Sequence, residues 1–223
     1  MEIGGQFTAH EAGQDAHAVD NIAKLYDDSD FINEQTIEWG KQVKNVYTTV
    51  AELKQSWAGE FSRKYTDAVE EVQPDLLKFA SDLSVLASTL GTVANMYRAL
   101  EAGNPVGSAE ELDANKFYET DAGRASTDKE VTFDPGRCRE KAQLLNEAAD
   151  AIERIIEDVG DRIESINNNY SSPKGEELIG TIQKMENDAP NYVKAIKECA
   201  DCLINVVAPQ YASIEKYIDN KVA

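Results

Sequence analysis

The sequence has little of what enzymes and metal sites usually need. It holds two histidines, His10 and His17, both near its start, and three cysteines, Cys138, Cys199 and Cys202. Ser/His and Cys/His catalysis therefore has almost nothing to draw on, and zinc lacks a ligand set. No glycine-rich phosphate loop is present. We assign no catalytic residue, no metal and no cofactor, and read the chain as a non-enzyme. Basic residues are also scarce: 22 Lys and Arg face 41 Asp and Glu, a net charge of −19. Such a surface repels phosphate backbones and anionic lipid heads, which argues against nucleic-acid and membrane-surface binding. No hydrophobic run reads as a membrane span. Met-Glu-Ile-Gly-Gly-Gln at the start has neither the basic region nor the apolar core of a classical signal peptide. On that reading the protein is made in the cytoplasm, and any export uses a route without a cleaved leader.

Proline is sparse too, with six in 223 residues. Long stretches free of Gly and Pro suit helices better than strands. Hydrophobic residues at 42% and charged residues at 28% give an ordinary globular balance.

The apolar residues then set the architecture. Trp39, Val43, Val46, Val50, Leu53 and Trp57 recur at alternating steps of four and three, a heptad seam that predicts a helix over 29–56 starting at Ser29. Leu76, Phe79, Leu83, Leu86, Leu90, Val93 and Tyr97 form a second stripe over about 60–102, with Pro74 expected to kink or interrupt it. Residues 103–134 lack periodicity and read as a linker wrapping the surface. A third helix is expected from Pro135, its seam formed by Ala142, Leu145, Ala149, Ile152, Ile156, Val159, Ile163 and Ile166. A fourth, from about Lys174, carries Ile179, Ile182, Met185, Val193, Ile196, Leu203, Val206, Ile214 and Ile218, interrupted at Pro190 and again at Pro209. Residues 1–28 are a tail or a short extra helix built on Val19, Ile22 and Leu25.

The expected fold is all-α: two long antiparallel helical hairpins, 29–102 and 135–223, packed as an elongated four-helix bundle with the last helix overhanging its partner. The halves share a plan. Trp57 precedes Tyr97 by 40 residues, and Tyr170 precedes Tyr211 by 41. Folding the second hairpin near residue 172 brings Cys138 opposite about residue 206, close enough to Cys199 and Cys202 for the sulfurs to cluster. We read all three as small apolar core residues, with a Cys138–Cys202 disulfide after export as the minor alternative.

Trp57-Ala58-Gly59 stands between the first two long helices, where glycine permits a sharp turn and a large ring closes the hairpin end. Tyr97 and Glu101 lie four residues apart near the end of the second helix, side by side on one face, and Tyr211 and Glu215 repeat the pair in the second half. In these features residues 29–101 resemble the Trp-Xaa-Gly family of small proteins exported by bacterial type VII (ESX) secretion. The second half departs from the pattern: Tyr170 replaces the Trp, and the nearest glycine is Gly175. The resemblance implies a non-catalytic secreted protein resembling a family dimer fused into one chain, and hence a monomeric bundle. It also implies that Trp57 and Gly59 are a turn motif, and that Tyr97, Glu101, Tyr211 and Glu215 are export-signal candidates. The partners it implies are the type VII machinery and a co-secreted effector. An adaptor or chaperone for a larger effector, or a cytoplasmic structural bundle, is the alternative.

Overall fold

Asn21 starts the first helix. Its side-chain oxygen accepts a hydrogen bond from the Lys24 amide at 3.1 Å, satisfying one of the unpaired donors of a helix N-terminus. A computed structural model of the chain describes residues 18–19, 21–57, 59–101, 134–171 and 173–222. The expected linker 103–134, apart from Asp134, lies outside them, as do His10, His17 and Ala58. The described chain is all-helical apart from a two-residue bridge. Its elements are β1 (Ala18–Val19), α1 (Ile22–Ser56), α2 (Glu60–Glu71), α3 (Gln73–Glu101), α4 (Pro135–Asn169), β2 (Tyr170–Ser171), α5 (Pro173–Cys202), a π-helical turn (Leu203–Val207) and α6 (Ala208–Val222).

Two features differ from expectation, the start of α1 and the effect of Pro190. Helix α1 begins seven residues before Ser29, because Asn21 caps it. Ser29 instead sits inside the helix, its hydroxyl donating to the Ala87 carbonyl of α3. Residues 22–28 are thus neither a tail nor a separate helix, and Leu25 is fully buried. Pro190 does not interrupt α5. It is exposed, so the carbonyl deprived of its N–H partner can be hydrated while the neighbouring hydrogen bonds continue. Pro209 acts more strongly: the turn before it widens into π-helix, which moves the backbone carbonyls away from the proline ring.

Other expectations hold. Val72 separates α2 from α3, leaving Pro74 in the first turn of α3, where no N–H is needed. Asp134 caps α4, accepting from the amides of Gly136 and Arg137. The seam residues of α1 and α4 are all buried, as are Leu76, Phe79, Leu83, Leu86 and Leu90 of α3. One reading is corrected here. The stretch Glu60–Ala99 does contain an 18-residue window long and apolar enough, by composition, to cross a membrane. The five named α3 side chains are buried in the protein interior.

Packing divides the chain into two compact units. The first draws on Met1–Trp39, Lys78–Phe117 and Ile155–Asp188. There Trp39 meets Phe79 with ring centroids 4.5 Å apart. Asn21 and Asn169 exchange two hydrogen bonds, the Asn21 amide donating to Asn169 Oδ1 and Asn169 Nδ2 donating back to the Asn21 carbonyl. Beside them β1 pairs antiparallel with β2, Val19 opposite Tyr170. The second unit draws on Gly40–Leu77, Tyr118–Arg154 and Ala189–Ala223. In it the Tyr47 hydroxyl donates to the Val69 carbonyl at 2.9 Å, Lys141 pairs with Glu52, and Lys197 bridges Asp150 and Glu153 at 2.9 and 2.7 Å.

Candidate functional site

The turn motif is built as a structural cap. The Trp57 amide still donates to the Leu53 carbonyl, at 2.7 Å, so the ring is carried on the last turn of α1, and only 3% of the residue is exposed. Gly59 then adopts φ +134°, a region that side chains oppose, and so reverses the chain into α2. A Cβ there would meet nothing within 4 Å, so the requirement for glycine is one of backbone rather than space.

The turn continues into an aromatic cluster. Trp57 stacks on Tyr65, centroids 6.4 Å apart at 29°, and meets Phe61 edge-on at 6.2 Å. Phe61 is half exposed. Lys64 lies 5.5 Å from the Tyr65 ring, a cation over its face. The Cys202 thiol at the end of α5 lies beside the Tyr65 hydroxyl and raises the tyrosine pKa. Trp57 and Gly59 are thus together, as the sequence indicates, while the role of Tyr65 is not legible there, since its thiol partner is 137 positions away.

Tyr211 lies in the same unit, on α6, and is partly exposed. Tyr97 belongs to the other unit, near the end of α3. It is partly buried, and this burial raises its pKa, with Tyr170 close enough to add to the effect. Tyr170 itself is buried in the turn after α4, the place expected for a counterpart of Trp57. Glu101 and Glu215 are helical, four residues after their tyrosines, but their side chains lie outside the described residues.

All three cysteines are buried free thiols. Burial pushes Cys199 up to about 12 and Cys138 up to about 11. Cys202 is raised as well, again by burial, with the neighbouring Tyr65 hydroxyl opposing. Counting along α4 and α5 from the Lys197 bridges puts Cys138 level with about residues 209–212, rather than 206. It is therefore two to three turns from Cys202, and the three sulfurs do not form one cluster. Among the described residues, no group of three or more His, Cys, Asp or Glu is placed to hold a metal ion.

Two features escape sequence reading. In the second unit a groove of about 630 Å³ is bordered by α1 and α4, its lining including Asn45, Glu52, Lys141, Leu144 and Arg154. In the first, Asp28 is fully buried with Arg162 Nε 2.7 Å from its Oδ1, out of hydrogen-bonding alignment. The guanidinium also lies 4.8 Å from the centre of the Phe31 ring. Burial raises the Asp28 pKa despite Arg162, which lowers it.

Against known proteins the chain matches no family model, and no curated protein or solved structure is significantly similar to it.

Proposed function

We propose that this chain is a non-enzymatic substrate of type VII secretion that acts by binding other proteins. In this reading its two helical hairpins pack as one elongated four-helix bundle, an intramolecular version of a Trp-Xaa-Gly dimer. A covalent link gives the second hairpin a high effective concentration, so pairing within the chain outcompetes pairing with a separate hairpin.

The observation that carries the reading is the turn: a buried Trp57, Gly59 at φ +134°, and two long amphipathic helical stretches on either side. Tyr211 on α6 belongs to the same compact unit as that turn. A partly exposed tyrosine on a helix is a feature another protein can read without unfolding the bundle. The test compares export of the wild-type chain with Tyr211→Ala and Tyr97→Ala in a bacterium with an active type VII system. Loss of export for one variant, with its folding intact, identifies the signal in use. Undiminished export of both, and of the double variant, contradicts the assignment.

A second reading rests on the exposed apolar residues Phe61, Ile214 and Tyr217. They suit an adaptor that pairs with a larger effector and lends it the export signal. Co-purification of one defined effector, abolished by Phe61→Glu or Ile214→Glu, favours this reading.

A further inference from the structure

We propose that the outward face of α3 is a self-association surface, through which two copies of this chain pair antiparallel. No side chain that charges at neutral pH occurs between Asp82 and Arg98, although 28% of the chain is charged. At about 100° per residue, Leu83, Leu86 and Leu90 share one side of the helix and are buried. Val85, Thr89, Thr92 and Met96 fall on the opposite side, where Val85 is 49% exposed and Met96 37% exposed. These four recur at steps of four, three and four, a second heptad seam back to back with the buried one. The 18-residue apolar window within Glu60–Ala99 is only 44% buried, so packing within the chain covers less than half of it.

Charge and residue order select a second copy as the occupant. Each chain carries a net charge of −19, so contact between copies through an acidic face brings like charges together. The α3 stripe is free of that repulsion. Lys78 and Asp82, the nearest charges before it, neutralise each other at 2.6 Å. The stripe also reads the same in both directions: a large apolar residue, two threonines, a large apolar residue. An antiparallel register centred between Leu90 and Gly91 sets Val85 level with Met96 of the second copy, and Thr89 level with Thr92. It also sets Asp82 level with Ala99, so no charge on one α3 meets a like charge on the other. The stripe is thus its own complement, the isologous arrangement of a two-fold interface. The Thr89 hydroxyl already donates to the Val85 carbonyl at 2.8 Å, so closing the interface leaves no donor unsatisfied there.

The contact is small. Val85 and Met96 stand about 16 Å apart along the helix, and two such stripes bury less than the roughly 1,200 Å² of a standard interface. The pairing is accordingly weak and concentration-dependent. It leaves packing within the chain untouched and does not depend on the export reading.

Sedimentation equilibrium of the purified chain from micromolar to millimolar concentration tests it. The expected result is a rise from the mass of one chain towards that of two. Val85→Lys and Met96→Glu, each with unchanged helical circular dichroism, should each weaken the association several-fold. An equimolar mixture of the two variants should restore it, because the antiparallel register sets the new lysine of one chain beside the new glutamate of the other. A single-chain mass at every concentration overturns the proposal. It does so equally if the chain then sediments with neutral phosphatidylcholine vesicles, which would assign the stripe to a bilayer. Association undiminished by both substitutions, or no restoration on mixing, also overturns it.

Discussion

Tyr65 stacks on Trp57 with its ring, and its hydroxyl lies close enough to the Cys202 thiol for each to shift the other's pKa, so one side chain lies between the first turn and the end of α5. The turn motif is therefore part of the second unit's core rather than an ornament on a loop. Its stability consequences follow from that position.

Replacing Trp57 with alanine removes a buried ring and leaves a cavity among Phe61, Tyr65 and the seam of α1. The expected loss is about 3–5 kcal/mol, measured by urea denaturation followed by circular dichroism. A loss below about 1 kcal/mol is the size of a surface substitution, and would assign the ring to recognition instead of packing.

Two glycines should respond oppositely to alanine. Gly59→Ala meets no atom, yet forces a side chain into φ +134°, and should cost about 1–3 kcal/mol. Gly180, inside α5 with equally open space around it, has no such constraint. Gly180→Ala should stabilise by about 0.4–1 kcal/mol, through lower entropy of the unfolded chain. Thermal melts of the two variants side by side check the contrast.

The Asp28–Arg162 pair predicts an asymmetry with a pH signature. Arg162 is 30% exposed and can be hydrated if Asp28 is lost, so Asp28→Asn should cost little at pH 7. Arg162→Gln leaves a buried carboxylate alone and should cost about 3–5 kcal/mol at pH 7. The folded pKa of Asp28 is raised above its unfolded value, so the native state holds its proton more tightly. Stability from this group is thus present at low pH and lost as pH rises through the folded pKa. The Arg162→Gln penalty should shrink on acidification, and Asp28→Asn should remove that part of the pH dependence. Denaturation series between pH 3 and 7 measure both.

The thiols should be inert while the chain is folded. Cys138 and Cys199 are buried, with pKa values pushed up to about 11 and about 12, so at pH 8 almost no thiolate is present. A thiol reagent at pH 8 should label the native protein slowly and label all three cysteines promptly in denaturant. Fast labelling of the native form would show that the ends of α4 and α5 open readily.

The helices were legible because each buries one stripe of a repeating pattern, and that stripe is visible in composition alone. Their ends were less so. Asn21 is hard to recognise as the start because Ser29 precedes the clearer heptads, although Ile22 and Leu25 already carry the right spacing. Proline has two outcomes that sequence does not separate: Pro190 is exposed and its helix continues, while Pro209 follows a turn wound as π-helix. In the candidate site, Trp57 and Gly59 could be read because a turn motif is local. Tyr65 with Cys202, and Asp28 with Arg162, join residues more than 130 positions apart, and nothing in the order of residues marks them. Ile214 fits the seam in spacing but is half exposed, so spacing alone does not give its burial.

The most direct test of the account is export itself, comparing culture supernatant from a bacterium with an active type VII system and from a mutant lacking that system's ATPase. The account predicts that the chain appears in the medium only when the ATPase is present. Its retention in cells that export other type VII substrates would contradict the secretion reading and leave a helical protein that works inside the cell.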